Sequence, residues 1–162
     1  MNDRPITHDD LVIRAEKWLK SQNCGVVFND SFCPATSNGE LPDAIGFRSE
    51  VSILIECKAT RSDFLSDKNK TFRKDPELGM GDWRFYMCPP NVIKIQDLPC
   101  GWGLLYVYPK QIKRIHGIPP NTQWFSSKPF CGNRSAETSM MYSALRRFAV
   151  RGTLEQIYEP LT

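Results

Sequence analysis

Two carboxylates and a lysine occupy the ends of two neighbouring predicted strands: Asp43, Glu56 and Lys58. Glu56 and Lys58 lie two residues apart in the apolar, β-branched segment 51–58, so a strand directs both side chains to one face of a sheet. Charged side chains on a buried face need partners or a function, because burying an unpaired charge is costly. The pattern therefore predicts a polar site within an otherwise apolar sheet.

The turn between these two strands decides whether the two carboxylates meet. A two- or four-residue loop around residues 49–50 brings Asp43 opposite Glu56, with Cβ atoms about 4.5–5.5 Å apart, whereas a three-residue loop shifts the register by one. Two facing carboxylates repel each other unless a proton or a cation lies between them. Oxygen ligands without His or Cys favour a hard cation, Mg²⁺ or Mn²⁺.

A lysine beside such a cation can align a water molecule or stabilise charge on a phosphoryl oxygen. The three residue types in this spacing therefore predict metal-assisted hydrolysis of a phosphodiester. The alternative is a cross-strand ion pair that stabilises the sheet and has no catalytic role.

The rest of the chain predicts a single mixed α/β domain over residues 1–162. Helices are expected at 7–22, 62–74 and 135–152, and strands at 24–28, 42–47, 51–58 and 83–90, followed by a hairpin over 102–116. Ser62 or Asp63 is expected to cap the second helix and Ser135 the third. The third helix is expected to pack through an apolar stripe of Met141, Leu145, Phe148 and Ala149.

The motif and the order of elements together resemble a known family. Pro42-Asp43, twelve intervening residues and then Glu56-Cys57-Lys58 resemble the motif of the PD-(D/E)XK nuclease superfamily. The predicted αβββαβ order over about 8–90 is similar to its restriction-endonuclease-like core, with a C-terminal extension over about 100–152. The stretches "IECKATRSDFLSD" and "RFYMCPP" resemble a small DNA-repair or phage-type branch.

This resemblance implies a divalent-metal-dependent deoxyribonuclease, an endonuclease rather than an exonuclease, in DNA repair, recombination or phage or restriction biology. It implies that Asp43 and Glu56 bind Mg²⁺ or Mn²⁺, that Lys58 is the catalytic lysine, and that Glu16 on the first helix completes the metal site. Cleavage with structure selectivity or low sequence specificity is expected, because the chain has no room for a separate recognition domain. The alternative is a weak or inactive nuclease-fold module that binds DNA or blocks a partner protein.

Charge is distributed unevenly along the chain. The formal net charge is +3, but residues 110–151 hold eight Lys/Arg against one acid, which predicts a surface facing a polyanion such as DNA. The candidate nucleic-acid-binding residues are Arg61, Lys68, Lys70, Arg73, Lys74, Arg147 and Arg151. The alternative for the five residues between 61 and 74 is a solvated helix face with i,i+4 ion pairs. The alternative for Arg147 and Arg151 is pairing with local acids such as Glu155 and Glu159. A homodimer or a larger protein partner is also compatible with the sequence.

Other features of the sequence concern the cellular location of the protein and its remaining candidate sites. No apolar run is long enough to span a membrane and the N-terminus is polar, so an intracellular, cytoplasmic protein is expected. The resemblance implies that the cell is bacterial or phage-infected. Six cysteines without a C-x-x-C spacing predict reduced thiols. The alternative is a zinc site drawn from Cys24, Cys33, Cys100 and Cys131. Neither His8 nor His116 is near the motif in sequence; both are expected to be surface residues, so no metal site with a histidine ligand is expected.

Overall fold

The computed structural model describes residues 4–162 and contains a six-stranded mixed sheet flanked by helices, which confirms the predicted α/β fold class. The strands are β1 (Val26–Asn29), β2 (Ala44–Arg48), β3 (Val51–Cys57), β4 (Trp83–Cys88), β5 (Gly103–Val107) and β6 (Ile112–His116). The helices are α1 (His8–Ser21), α2 (Arg61–Asp67), α3 (Thr71–Lys74) and α4 (Arg134–Val150).

The strands lie in the sheet in chain order. The β3–β4 and β4–β5 pairs are parallel and the other pairs are antiparallel. β3 and β4 are buried along their whole length, since the sheet is covered on both faces. Within residues 4–162, no helix is both long enough and apolar enough to cross a membrane.

The helix α1 covers one face of the sheet, as its apolar periodicity predicts. Thr7 and Asp10 form a reciprocal capping box at its start, which satisfies backbone donors that the helix leaves free. Its buried side chains pack against β1, β2 and β3: Leu11, Val12, Ala15, Trp18 and Leu19. This packing fixes the beginning of α1, and with it His8, next to the end of β1.

The predicted helix over 62–74 is wrong in its cap and in its continuity. Thr60, rather than Ser62 or Asp63, caps α2, because its hydroxyl accepts a hydrogen bond from the backbone of Asp63 at 3.2 Å. The chain then leaves the helical conformation at Lys70, and α3 begins at the next residue. In one continuous helix, residues 67 and 73 would lie about 120° apart around the axis. The break allows both to face the same site.

The prediction for the last helix is also wrong in two respects. Asn133 rather than Ser135 is its cap, accepting a hydrogen bond from the backbone of Ala136 at 3.1 Å. The expected packing stripe stays outside, since Leu145 is 51% and Phe148 is 46% exposed. Only the first turns of α4 lie against the sheet, where Ala136, Glu137 and Met140 are buried.

Candidate functional site

The β2–β3 hairpin has the register that the sequence predicts. Its loop contains the two residues 49–50, and Ala44 pairs with Ile55. Asp43 immediately precedes β2 and therefore lies opposite Glu56 on β3, with both side chains on the same face. On its other side, Glu56 pairs with Tyr86 of the parallel strand β4. Three adjacent strands thus carry one polar row across the sheet.

Only one of the two carboxylate oxygens of Asp43 accepts a hydrogen bond within the described chain. Its Oδ2 accepts a hydrogen bond from the backbone N–H of Cys57 at 2.7 Å. Its Oδ1 lies 3.6 Å from Nε2 of His8 and accepts no hydrogen bond within residues 4–162. The side chain is 17% exposed, and burial together with the charge of Glu56 raises the pKa of Asp43 to about 6. A cation next to Asp43 would stabilise the ionised form of the Asp43 and Glu56 carboxylates.

Glu56 and Lys58 lie on the same face, as predicted. Nζ of Lys58 is 3.3 Å from Oε2 of Glu56 and 3.2 Å from Oδ1 of Asp67. Burial alone would lower the pKa of Lys58, but the charges of Glu56 and Asp67 outweigh it, so the pKa is raised. Lys58 is therefore a protonated cation at neutral pH.

Glu56 and Lys58 belong to a largely buried ion cluster, which consists of Glu40, Glu56, Asp67, Lys58, Lys70 and Arg73. Arg73 is its centre, with nitrogen atoms 2.9 Å from Glu40, 3.0 Å from Glu56 and 2.9 Å from Asp67. Only 3% of the Arg73 side chain is exposed, and its guanidinium lies 4.7 Å from the ring centroid of Trp102. The cluster holds Glu56 rigidly in position.

The sequence analysis missed two members of the ion cluster, Asp67 and Glu40. Asp67 lies on the buried face of α2 with Phe64, and it accepts a hydrogen bond of 2.7 Å from the hydroxyl of Tyr86. Glu40 is fully buried in a loop, where it accepts from the backbone of Met80 at 2.7 Å. The three-residue spacing of Phe64 and Asp67 is a signal that could have placed Asp67 inside. No periodicity marks Glu40.

The candidate nucleic-acid residues near α2 and α3 have different environments. The prediction for Arg73 is wrong, because three buried carboxylates hold its guanidinium inside the protein. Arg61 is paired with Asp97 and Lys70 with Asp67, although both basic side chains are partly exposed. Lys68 and Lys74 are exposed, and Lys68 lies over the ring of Phe64. Lys68 and Lys74 thus stay accessible to a phosphate.

The predicted third ligand, Glu16, is bound by other side chains of the protein. Its carboxylate accepts hydrogen bonds from Lys20 at 2.5 Å and from the side chain of Asn29 at 2.8 Å. In the part of the chain from residue 4 onward, His8, Asp30 and Asp43 form the three-residue group whose potential ligand atoms all lie within 4.8 Å of one another. His8 is a partly exposed residue, and the sequence analysis did not predict its position next to Asp43.

His8 and Asp30 reach Asp43 from two directions. His8 is the first residue of α1, directly after the capping Thr7, and Asp30 directly follows β1. Nε2 of His8 lies 3.2 Å from Oδ2 of Asp30. The cysteines take no part in this group and form no disulfide: Cys24, Cys57 and Cys88 are buried, and Cys33, Cys100 and Cys131 are exposed.

A groove of about 680 Å³ separates the loop after β1 from α4. Its lining includes Arg146, Arg147 and Arg151 on one side and residues 33–35 on the other. The guanidinium of Arg147 lies 4.5 Å from the ring centroid of Phe32, two residues after Asp30. Across residues 4–162, none of the three arginines forms an ion pair with an acid. The alternative, local pairing with Glu155 and Glu159, is thus not formed within the described residues.

The raised pKa of Asp43 predicts how stability depends on pH. The folded protein retains the proton up to about pH 6, whereas the unfolded chain releases it near its ordinary value of 3.8, so ionisation of Asp43 destabilises the fold as pH rises through this window. A difference of two pKa units corresponds to about 3 kcal/mol. In urea unfolding with EDTA, Asp43→Asn is expected to gain about this much relative to the wild type between pH 4 and pH 7. Parallel pH curves for the two proteins would contradict this assignment.

Comparisons with known proteins bear on the fold alone. No protein-family model matches the chain, and no curated protein matches it. A solved structure of a protein of unknown function from Silicibacter pomeroyi is similar, with a TM-score of 0.56 and 17% sequence identity, over 99% of this chain and 95% of that chain. At this level of identity the similarity establishes that the two chains share an α/β fold.

Proposed function

We propose that this protein is a divalent-metal-dependent nuclease of the PD-(D/E)XK type that hydrolyses phosphodiester bonds of DNA. One observation carries the proposal: Asp43 and Glu56 face each other on adjacent strands, with Lys58 beside them on the same face. Three charged groups on the face of a buried sheet are costly unless they serve a function. The motif that placed them there resembles the catalytic motif of that superfamily.

The donor set fits a hard divalent cation. Asp43 has a carboxylate oxygen without a hydrogen bond within the described chain, and burial next to Glu56 makes its negative charge unfavourable unless it is compensated. Mg²⁺ or Mn²⁺ held by Asp43 and Glu56 would supply Lewis acidity toward a phosphoryl oxygen. The neighbouring imidazole of His8 adds a donor that Mn²⁺ accepts more readily than Mg²⁺ does.

Lys58 supports hydrolysis as a cation. The negative charges of Glu56 and Asp67 keep the Lys58 ammonium protonated. Lys58 therefore donates hydrogen bonds to a water molecule or a phosphoryl oxygen and does not remove a proton. Arg73 is a positioning residue, because it contacts Glu56 and is buried away from any substrate. By fixing Glu56, it keeps the carboxylate pair in one geometry.

A second candidate function is a nuclease-fold module that binds DNA, or blocks a partner protein, without cleaving. The surroundings of Glu56 favour it: Arg73 lies 3.0 Å from one carboxylate oxygen, and Lys58 and Lys70 lie 3.3 and 3.8 Å from the other. A carboxylate that its own chain neutralises has less need of a metal ion. The two candidates differ in whether the protein hydrolyses any nucleic acid.

Cleavage of a panel of nucleic acids tests the proposal. The purified protein is incubated with supercoiled plasmid, branched DNA, single-stranded DNA and RNA, with Mg²⁺, Mn²⁺ or EDTA. We expect DNA cleavage that requires the metal and shows structure selectivity or low sequence specificity. Binding of DNA without cleavage of any substrate would favour the inactive module. Cleavage of RNA alone would indicate an RNA-directed nuclease.

The arginines of the groove are expected to hold the DNA backbone. Arg147 in the last turn of α4 and Arg151 directly after the helix both line the groove, about one helical turn apart, so both can contact phosphates. Exchanging both for glutamate is expected to weaken binding similarly for all sequences and to lower the salt slope by about one unit per lost contact. Fluorescence anisotropy over a range of salt, with Ca²⁺ in place of Mg²⁺, measures both quantities.

The matched control for this variant is Lys110→Glu with Lys113→Glu. These lysines belong to the same basic segment but lie at or beside β6, on the opposite edge of the sheet from β1. The control is expected to lose less affinity than the arginine variant. Equal loss in both double variants, or no loss in the arginine variant, would mean that the groove does not bind DNA.

A further inference from the structure

The outer half of α4 carries apolar side chains that the described chain covers only in part. The α4 stripe, consisting of Met141, Leu145 and Phe148, continues from the packed start of the helix onto a segment that projects from the sheet. Leu145 and Phe148 are about half exposed. Half a helix in water gains little stability from its own hydrogen bonds, and most helical stability comes from a packed apolar face.

The spacing of the α4 stripe fits another helix better than an irregular partner. Its members are four and then three residues apart, which is the spacing of a coiled-coil seam. Ala144 and Ala149 flank the seam, and small side chains let two helix backbones approach closely. Arg147 lies about 100° around the helix from Phe148, so the seam and the arginine groove are different faces.

The two ends of the α4 stripe carry opposite charges, with acids after the end of the helix and an arginine beside the start of the stripe. The C-terminal segment from residue 155 onward is exposed and carries Glu155 and Glu159, and neither acid has an ion-pair partner in the described chain. Beside the start of the seam, a pocket of about 470 Å³ lies between the β2–β3 turn and α4, lined in part by Met141 and Arg48. Arg48 also forms no ion pair within residues 4–162. An antiparallel pair of α4 helices brings the acidic end of one copy toward Arg48 of the other.

We infer that a second copy of this chain covers the α4 stripe in a twofold, antiparallel arrangement of the two α4 helices. Twofold symmetry makes the contact self-complementary: Leu145 meets its own counterpart near the axis, and Met141 of each copy meets Phe148 of the other. A seam of three positions is short for a stable interface. The inferred interface therefore also includes the acidic C-terminal segments. This inference is independent of the proposed nuclease activity.

Light scattering coupled to size-exclusion chromatography tests the inference directly. We expect the wild-type chain to have twice the monomer mass of 18.6 kDa, and Leu145→Glu to have the monomer mass at the same protein concentration. Leu145→Glu is expected to fold, because the residue is exposed in the single chain; circular dichroism checks this. The control is Ile13→Glu, which places the same charge on an equally exposed residue of α1 and is expected to stay dimeric.

The charge contribution has its own variant. Glu155→Lys with Glu159→Lys is expected to raise the dimer dissociation constant, and the rise is expected to shrink at high salt because charge pairs at the rim are screened. A wild-type chain that is monomeric over a wide range of protein concentration overturns the inference. The inference is also overturned if the wild type is a dimer and Leu145→Glu has the same mass. Loss of DNA binding in Leu145→Glu without any change in mass would assign the α4 stripe to DNA.

Discussion

Asp43→Asn and Glu56→Gln are each expected to reduce metal-dependent DNA cleavage by at least about a thousandfold. Each substitution removes one carboxylate charge and keeps the shape of the side chain, so it weakens the binding of a divalent cation without opening a cavity. The measurement is the initial rate of plasmid cleavage at saturating Mg²⁺ or Mn²⁺. Glu50→Gln, an exposed acid in the β2–β3 loop, is the matched control and is expected to retain full activity.

The two variants differ in their effect on stability. Asp43→Asn relieves the repulsion with Glu56 and is expected to leave the melting temperature in EDTA unchanged or raised. Glu56→Gln removes the anion next to Lys58 and Arg73 and is expected to lower it. Asp43→Asn is therefore the cleaner test of catalysis. Undiminished cleavage by both variants would rule out the carboxylate pair as the catalytic centre.

Arg73→Met is expected to lower the free energy of unfolding by about 3–5 kcal/mol. The substitution keeps an apolar stem but leaves Glu40, Glu56 and Asp67 buried with less positive charge. Urea unfolding in EDTA at neutral pH measures the change. The effect is expected to decrease toward acid pH, where protonation of Glu40, whose pKa burial raises, removes part of the unpaired charge.

Lys74→Met is the control for this prediction. Lys74 is the next residue on α3, is exposed and forms no ion pair within the described residues, so its loss is expected to change stability little. If Arg73→Met changes stability no more than Lys74→Met does, the ion cluster does not contribute to the fold as described. A retained fold with reduced cleavage in Arg73→Met would indicate a role limited to positioning Glu56.

Short-range geometry explains what the sequence predicted about the site. A strand alternates its side chains with a period of two, and a two-residue loop fixes the pairing of its neighbours. These two rules place Asp43 opposite Glu56 and Lys58 on the same face, as the structure has them. The capping pattern at Thr7 and Asp10 placed the first helix equally well.

Residues brought in by irregular backbone were beyond this reasoning. Arg73 joins the ion cluster because the chain leaves the helix at Lys70, and no periodicity predicts where such a break falls. Glu40 and His8 reach the site from a loop and from a helix start, so their placement depends on the path of the whole chain. The α4 stripe has the period of a packed helix, but the period does not specify which molecule covers it.

The location of a bound divalent cation tests the central claim most directly. Crystals of the protein soaked with Mn²⁺ give an anomalous signal that identifies the ion and its ligands. We predict a peak at coordination distance from a carboxylate oxygen of Asp43 and one of Glu56, with Lys58 beside it. No peak near this pair, or Mn²⁺ bound by His8 and Asp30 without Glu56, would contradict the account.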